Sequence, residues 1–130
     1  VRSRGLGDVY KRQRIWMSAD HVEIFLAPGV APEATEYPFY QLMVSPSGSQ
    51  WDGYALDVAW NGEWEAAAAA GEGYWEAEVR IPLATLEGAA ASTWRFNVAR
   101  FRSLGREWGT WAPVEGGLQR PAGFGVLERR

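Results

Sequence analysis

The chain has no cysteine, one histidine and two methionines in 130 residues. Without thiols it has no disulfide and no thiolate nucleophile, and most structural zinc sites are excluded; the compartment stays undecided. A single imidazole, His21, rules out histidine-rich metal centres. No apolar run reaches the length of a membrane-spanning helix. A formal net charge of −3, with no basic block, leaves no electrostatic footprint for nucleic acid. What is abundant is aromatic surface: eight Trp, five Tyr and five Phe. That exceeds what a small core needs, so either the core is unusually aromatic or some rings face solvent for a purpose. The length suits one domain and hardly two.

The organising stretch is Asp20 to Gly29, DHVEIFLAPG. Val22, Ile24 and Leu26 alternate with His21, Glu23 and Phe25, and Pro28-Gly29 breaks the run, which predicts a central strand. The aliphatic face is expected to enter the core, leaving His21 as a surface strand residue. A polar loop at 31–36 leads to Tyr40–Val44, a second strand that stops at Ser45-Pro46-Ser47-Gly48. The region from Trp51 to Trp60 is ambiguous, and Asn61-Gly62 is the best short hairpin signal in the chain.

Five consecutive alanines within Trp64 to Ala70 favour helix by propensity. The run is short and closed by Gly71-Glu72-Gly73, so tertiary context should make it a strand. In the next run Trp75, Ala77, Val79 and Ile81 share one face and Glu76, Glu78 and Arg80 the other. Pro82 ends it and suits the first turn of a short helix, Leu83 to Leu86. Trp94, Phe96 and Val98 then alternate with Arg95, Asn97 and Ala99. Trp108 and Trp111 sit in a Gly-rich stretch, and Phe124 to Leu127 close the series. Short strands between Gly/Pro turns, with almost no helix, predict an all-β antiparallel sandwich.

Residues 1–13 differ from the rest: they are basic, glycine-punctuated and lack an alternating face, and read as a poorly ordered tail. Asp8 to Gln13, DVYKRQ, resembles the translation of a transposon-end adaptor from sequencing libraries. The alternative is a natural flexible tail. Either way, the folding unit is expected over 14–130.

Taken in order, DHVEIFL, YQLMV, YWEAEVRIP, RFNVARFR, WAP and PAGFGVL resemble the family 9 carbohydrate-binding modules and their wider group. The resemblance covers essentially all of residues 16–130. It implies a jelly-roll or immunoglobulin-like β-sandwich, non-catalytic, secreted or at the cell surface, and often joined covalently to a glycoside hydrolase. Its ligands would be plant-type polysaccharide such as xylan or cellulose, or their chain ends. Family domains carry strands before the DHVEIF-like one, so the resemblance also implies a unit incomplete at its N-terminus. The family site holds a terminal sugar between two Trp rings while charged and amide side chains bond its hydroxyls. A sugar's apolar CH face stacks on aromatic rings, and its rim needs planar donors and acceptors. Here Trp16 lies near the first family Trp, Glu23 matches the strand glutamate and Gln41 the strand glutamine. Met43 stands where the family has arginine, and Leu118 where it has the second Trp.

Several residues keep two readings. Glu23 is either a sugar acceptor or a solvated strand residue. Trp108 and Trp111 face ligand or fill the motif end. Arg100 either donates to ligand or bridges a buried carboxylate that fixes the sandwich. Trp75 and Trp94 are expected in the core, and Trp51, Trp60 and Trp64 either cap one edge or form an exposed platform. No organic cofactor is implied. A structural calcium would draw on Asp20, Asp52 and Asp57. Glu76 and Glu78, two residues apart on one strand face and so about 7 Å apart, have the spacing of an inverting glycosidase pair. A structural sandwich without sugar binding is the other alternative.

Overall fold

A computed structural model describes residues 20–130. Trp16, the 1–13 tail and its adaptor-like stretch therefore lie outside the described residues. Eight strands follow in order: β1 (His21–Pro28), β2 (Tyr40–Val44), β3 (Gln50–Tyr54), β4 (Glu65–Gly71), β5 (Tyr74–Arg80), β6 (Thr93–Arg102), β7 (Glu107–Thr110) and β8 (Gly125–Glu128). The only helical pieces among the described residues are two 3₁₀ turns, Leu83–Thr85 and Pro121–Gly123. The all-β antiparallel expectation holds.

The larger sheet runs β3-β2-β1-β6-β7, and β8 also pairs with β6. β1 is central, as its pattern predicts: it pairs with β2 from Val22↔Val44 to Leu26↔Tyr40 and with β6 from His21↔Phe101 to Pro28↔Trp94. The smaller sheet is the β4–β5 hairpin, with register Glu65↔Arg80 to Gly71↔Tyr74. Its inward side chains Ala66, Ala77 and Val79 pack with Ile81 on Leu26, Tyr40, Leu42, Val44, Trp64 and Trp94 of the first core. The alanine run is thus a strand, because pairing with the strongly alternating β5 outweighs a helix preference of a few tenths of a kcal/mol per residue. The tight hairpin turn is made by Glu72-Gly73, where Gly73 has φ +78°. The expectation of a hairpin at Asn61-Gly62 is corrected. That pair lies in a loop, the Gly62 N–H donates to Asp52 Oδ2 at 3.2 Å, and the Trp60 ring lies against the glycine.

The other face of the larger sheet is buried as well. His21, Glu23, Phe25 and Ala27 are 0–3 % exposed, so the expectation that His21 lies at the surface is corrected. Val22 and Ile24, expected inside, are the less buried set. Phe25, Phe39 and Phe124 mesh with centroids 5.1 to 5.8 Å apart, and Ala27, Ala99, Tyr37 and Leu118 join them in a second core. Burying such a phenyl side chain contributes about 1.5–3 kcal/mol.

Two polar residues of β6 hold the chain that covers this face. The Asn97 side chain accepts from the Ala112 N–H at 2.8 Å and donates to the Ala112 carbonyl at 3.3 Å. Arg95, 3 % exposed, donates to the carbonyls of Pro32, Ala34, Ala122 and Phe124 at 2.5 to 3.2 Å. The segment from Ala112 to Phe124 is therefore fixed at both ends over the sheet, and its middle arches across the His21 end of β1. Trp64 is buried in the first core, with its indole N–H satisfied by the fully buried Asp52 at 2.7 Å. Trp51 is buried too, and Trp60 is half-buried against Tyr40, so these three rings are not an exposed platform. Trp94 is in the core and Trp75 is half-buried.

Candidate functional site

Under that arch lies a pocket of about 630 Å³, lined by His21, Glu23, Gln41, Phe101, Ser103 and Trp108 from the sheet side and by residues 116–120 from the arch, with Arg106 at its edge. The volume lies within the usual range for a small-ligand site. Strand alternation sets the floor. His21 and Glu23 are two apart on β1 and share a face; Gln41 is diagonal to Glu23 on β2 through the Phe25↔Gln41 pairing.

The floor is a chain of planar polar groups. His21 Nε2 lies 3.0 Å from Glu23 Oε1, Gln41 Nε2 donates to Glu23 Oε2 at 3.0 Å, and Gln119 Nε2 donates to Gln41 Oε1 at 2.9 Å. Glu23 is 3 % exposed, so the solvated-strand alternative for it is corrected: the arch covers the face on which it stands. A carboxylate that accepts two bonds keeps further lone pairs, and each glutamine amide keeps at least one N–H. The array can therefore both accept from and donate to a hydroxylated ligand.

The wall is aromatic. Trp108 pairs across from Phe101 in the β6–β7 register, with ring centroids 4.6 Å apart, and stands edge-on to His21 at 5.7 Å. It is nevertheless 48 % exposed, so one part of the indole is packed and another is open. Leu118 lines the same pocket while packing on the second core. At the margin, the Ser103 hydroxyl and N–H donate to Asp20 Oδ1 at 2.6 and 2.7 Å. These two bonds, hydroxyl first, hold the Asp20 carboxyl below the usual carboxylate range, with help from the Arg102 and Arg100 charges.

Of the six expected site residues, the structure brings Glu23, Gln41 and Trp108 together, and Trp16 lies outside the described residues. Two stand apart. Arg100 alternates with Ala99 and Phe101, so it emerges on the opposite face of β6, half exposed and 3.8 Å from Glu107. The buried anchoring arginine is Arg95, which bonds carbonyls rather than a carboxylate. Trp111 follows β7, rests against Phe96 at 5.5 Å and lies over Gly125, 58 % exposed and away from the pocket. Gln119, Arg106 and Arg120 were not singled out by the sequence reading; all three sit in loops, where periodicity gives no signal.

The aspartates named for calcium do not converge. Asp20 holds Ser103, Asp52 holds Trp64 and Gly62, and Asp57 accepts from the Ala59 N–H at 2.9 Å. Among the described residues no group of three or more His, Asp or Glu side chains could hold a metal ion. Glu76 and Glu78 stand on the exposed face of β5, outside the pocket. Comparison with family models, with curated proteins and with solved structures returned no match.

Proposed function

We propose that this domain is a non-catalytic carbohydrate-binding module whose ligand enters the pocket under the arch. One observation carries the reading: a half-exposed indole, Trp108, stands beside a hydrogen-bonded row of carboxylate and amides, Glu23, Gln41 and Gln119. A pyranose needs that pairing, an apolar ring for its CH face and planar acceptors and donors for its hydroxyls. The family 9 resemblance supports the same reading and adds its context: secretion or cell-surface display, a covalently linked glycoside hydrolase, and plant-type polysaccharide as ligand.

One aromatic wall instead of two sets the scale. Stacking on a ring contributes about 1 kcal/mol beyond burial, so with Leu118 in place of a second indole the dissociation constant should be about 0.1–1 mM, about −4 to −5.5 kcal/mol. Calorimetry against xylo- and cello-oligosaccharides tests this. Trp108→Ala and Glu23→Ala should abolish the heat, and Leu118→Trp should tighten binding. Release of shorter sugars from any of these ligands would replace the reading with a hydrolase. No heat with any glycan would replace it with a structural sandwich.

A further inference from the structure

The pocket carries two guanidinium groups and one carboxylate, although the chain as a whole has a formal charge of −3. The carboxylate, Glu23, is already engaged by His21 and Gln41. The guanidinium groups of Arg106 and Arg120 form no ion pair or side-chain hydrogen bond among the described residues. The neighbouring acid of Arg106, Glu107, turns instead to Arg100 and Arg102, at 3.8 and 3.5 Å.

Both arginines are presented by turns in conformations that side chains disfavour. Arg106 follows Gly105 in the four-residue β6–β7 turn and itself has φ +50°, in the left-handed region where an L-residue with a long side chain is rare. Its N–H closes the turn on the Ser103 carbonyl at 3.2 Å. On the arch, Gly116 has φ +77° and Gly117 φ +130°. A Cβ at Gly116 would lie 3.2 Å from Arg120 Cζ and Nε, so the guanidinium rests close against the glycine backbone and a side chain there would push it aside. Two arginines without an ion-pair partner among the described residues thus line a pocket whose wall is an indole and whose floor is a row of carboxylate and amides.

We infer that the preferred sugar is acidic: a uronic acid unit whose ring lies along Trp108 and whose carboxylate is held by Arg106 and Arg120. A guanidinium presents planar N–H pairs that match a carboxylate in two-point contact, and the charge-assisted bonds outweigh those a neutral hydroxymethyl group makes. The inference rests on the carbohydrate-binding reading and names the sugar class for the same pocket.

The test is calorimetry on the full chain with an oligosaccharide ending in glucuronic acid and with its carboxyl-reduced, otherwise identical partner. The acidic form should bind about tenfold more tightly. That preference should shrink between ionic strengths of about 0.01 M and 1 M, as the Debye length falls from about 30 Å to about 3 Å. The double variant Arg106→Gln/Arg120→Gln should bind the acidic and reduced sugars equally, whereas Arg80→Gln, on β5 and outside the pocket, should leave the affinity for both unchanged. Gly116→Ala, whose Cβ would press on the Arg120 guanidinium, should narrow the preference, and thermal melts of each variant establish that it is folded. Equal binding of the two sugars would overturn the inference and leave the carbohydrate reading standing; binding of neither would overturn both.

Discussion

Replacing Arg95 by Met should cost this domain a large part of its stability and, with it, the arch over the pocket. The guanidinium donates to the carbonyls of Pro32, Ala34, Ala122 and Phe124, with Pro121 at the longer distance of 3.5 Å. Methionine fills most of the same volume, so the loss is chiefly that of the bonds. Hydrogen bonds to a charged donor contribute about 1.5–3 kcal/mol each when deleted singly, but carbonyls at a loop edge recover water, so about 3–5 kcal/mol for the set is a fair expectation. A domain of this size has about 5–15 kcal/mol in all. At about 4 °C per kcal/mol, the melting temperature should fall by about 12–20 °C. Arg95→Lys should recover little of it, because an ammonium cannot reach carbonyls on two separate segments from one plane. Circular dichroism melts read the effect directly. A melting temperature for Arg95→Met within about 3 °C of the parent would refute the idea that this side chain fastens the covering segment.

Other perturbations probe separate links. Burial, only partly offset by the Arg95 charge, pushes the Tyr37 hydroxyl up to about 12. The raised value means that its contribution to stability is intact below pH 10 and lost as pH rises from about 10 through about 12. Tyr37→Phe should flatten that alkaline loss in melts across the window, and an unchanged slope would contradict it. Asp52→Ala leaves the Trp64 indole N–H and the Gly62 N–H without their acceptor, and should cost about 3 kcal/mol by denaturant titration, with Asp52→Asn less than half of that. Gly88→Ala places a Cβ 2.9 Å from the Pro28 carbonyl at φ +76°. It should cost about 1–3 kcal/mol. Gly73→Ala, at φ +78° with open space around it, should cost only about 1 kcal/mol. Equal melting temperatures for the two alanine variants would show that the clash at Pro28 is absent.

The strongly alternating strands were legible because alternation is local, whereas β3 and β7 carry too little of it to stand out. β1, β2, β5 and β6 follow from their residues, and even the alanine run was placed correctly once its glycine boundaries were weighed against its propensity. What alternation does not reveal is whether the second face of a strand is covered. His21, Glu23 and Phe25 look like an outward row until Phe124 and the segment from Ala112 are brought over them from a hundred residues away. The signal was present in a weak form: Phe25 and Phe39 are two phenylalanines on strand faces that the simple pattern assigns to solvent. Arginine roles failed for a related reason. Arg95 and Arg100 lie on opposite faces of one strand, an odd number of residues apart, and only the position of the cover decides which is buried. Asn61-Gly62 shows the limit of a dipeptide signal, since Glu72-Gly73, flanked by better-matched strands, makes the tight hairpin turn. Glu23, Gln41 and Trp108, which the sequence singles out, line one pocket. Gln119, Arg106 and Arg120 were not singled out, because loop residues acquire their meaning from the fold that positions them.

In the proposed complex a sugar lies against Trp108 and the Glu23–Gln41–Gln119 row. Nitrogen-15 correlation spectra of the full chain, recorded during titration with neutral and uronic oligosaccharides, test it most directly. The Trp108 indole N–H and the Gln41 and Gln119 side-chain amides should shift together along one saturable curve, while the indole signals of Trp64 and Trp94, donors to Asp52 and to the Ala91 carbonyl, stay still. Saturable shifts confined to Trp60, Trp111 or the exposed face of β5, or no shifts at all, would contradict it.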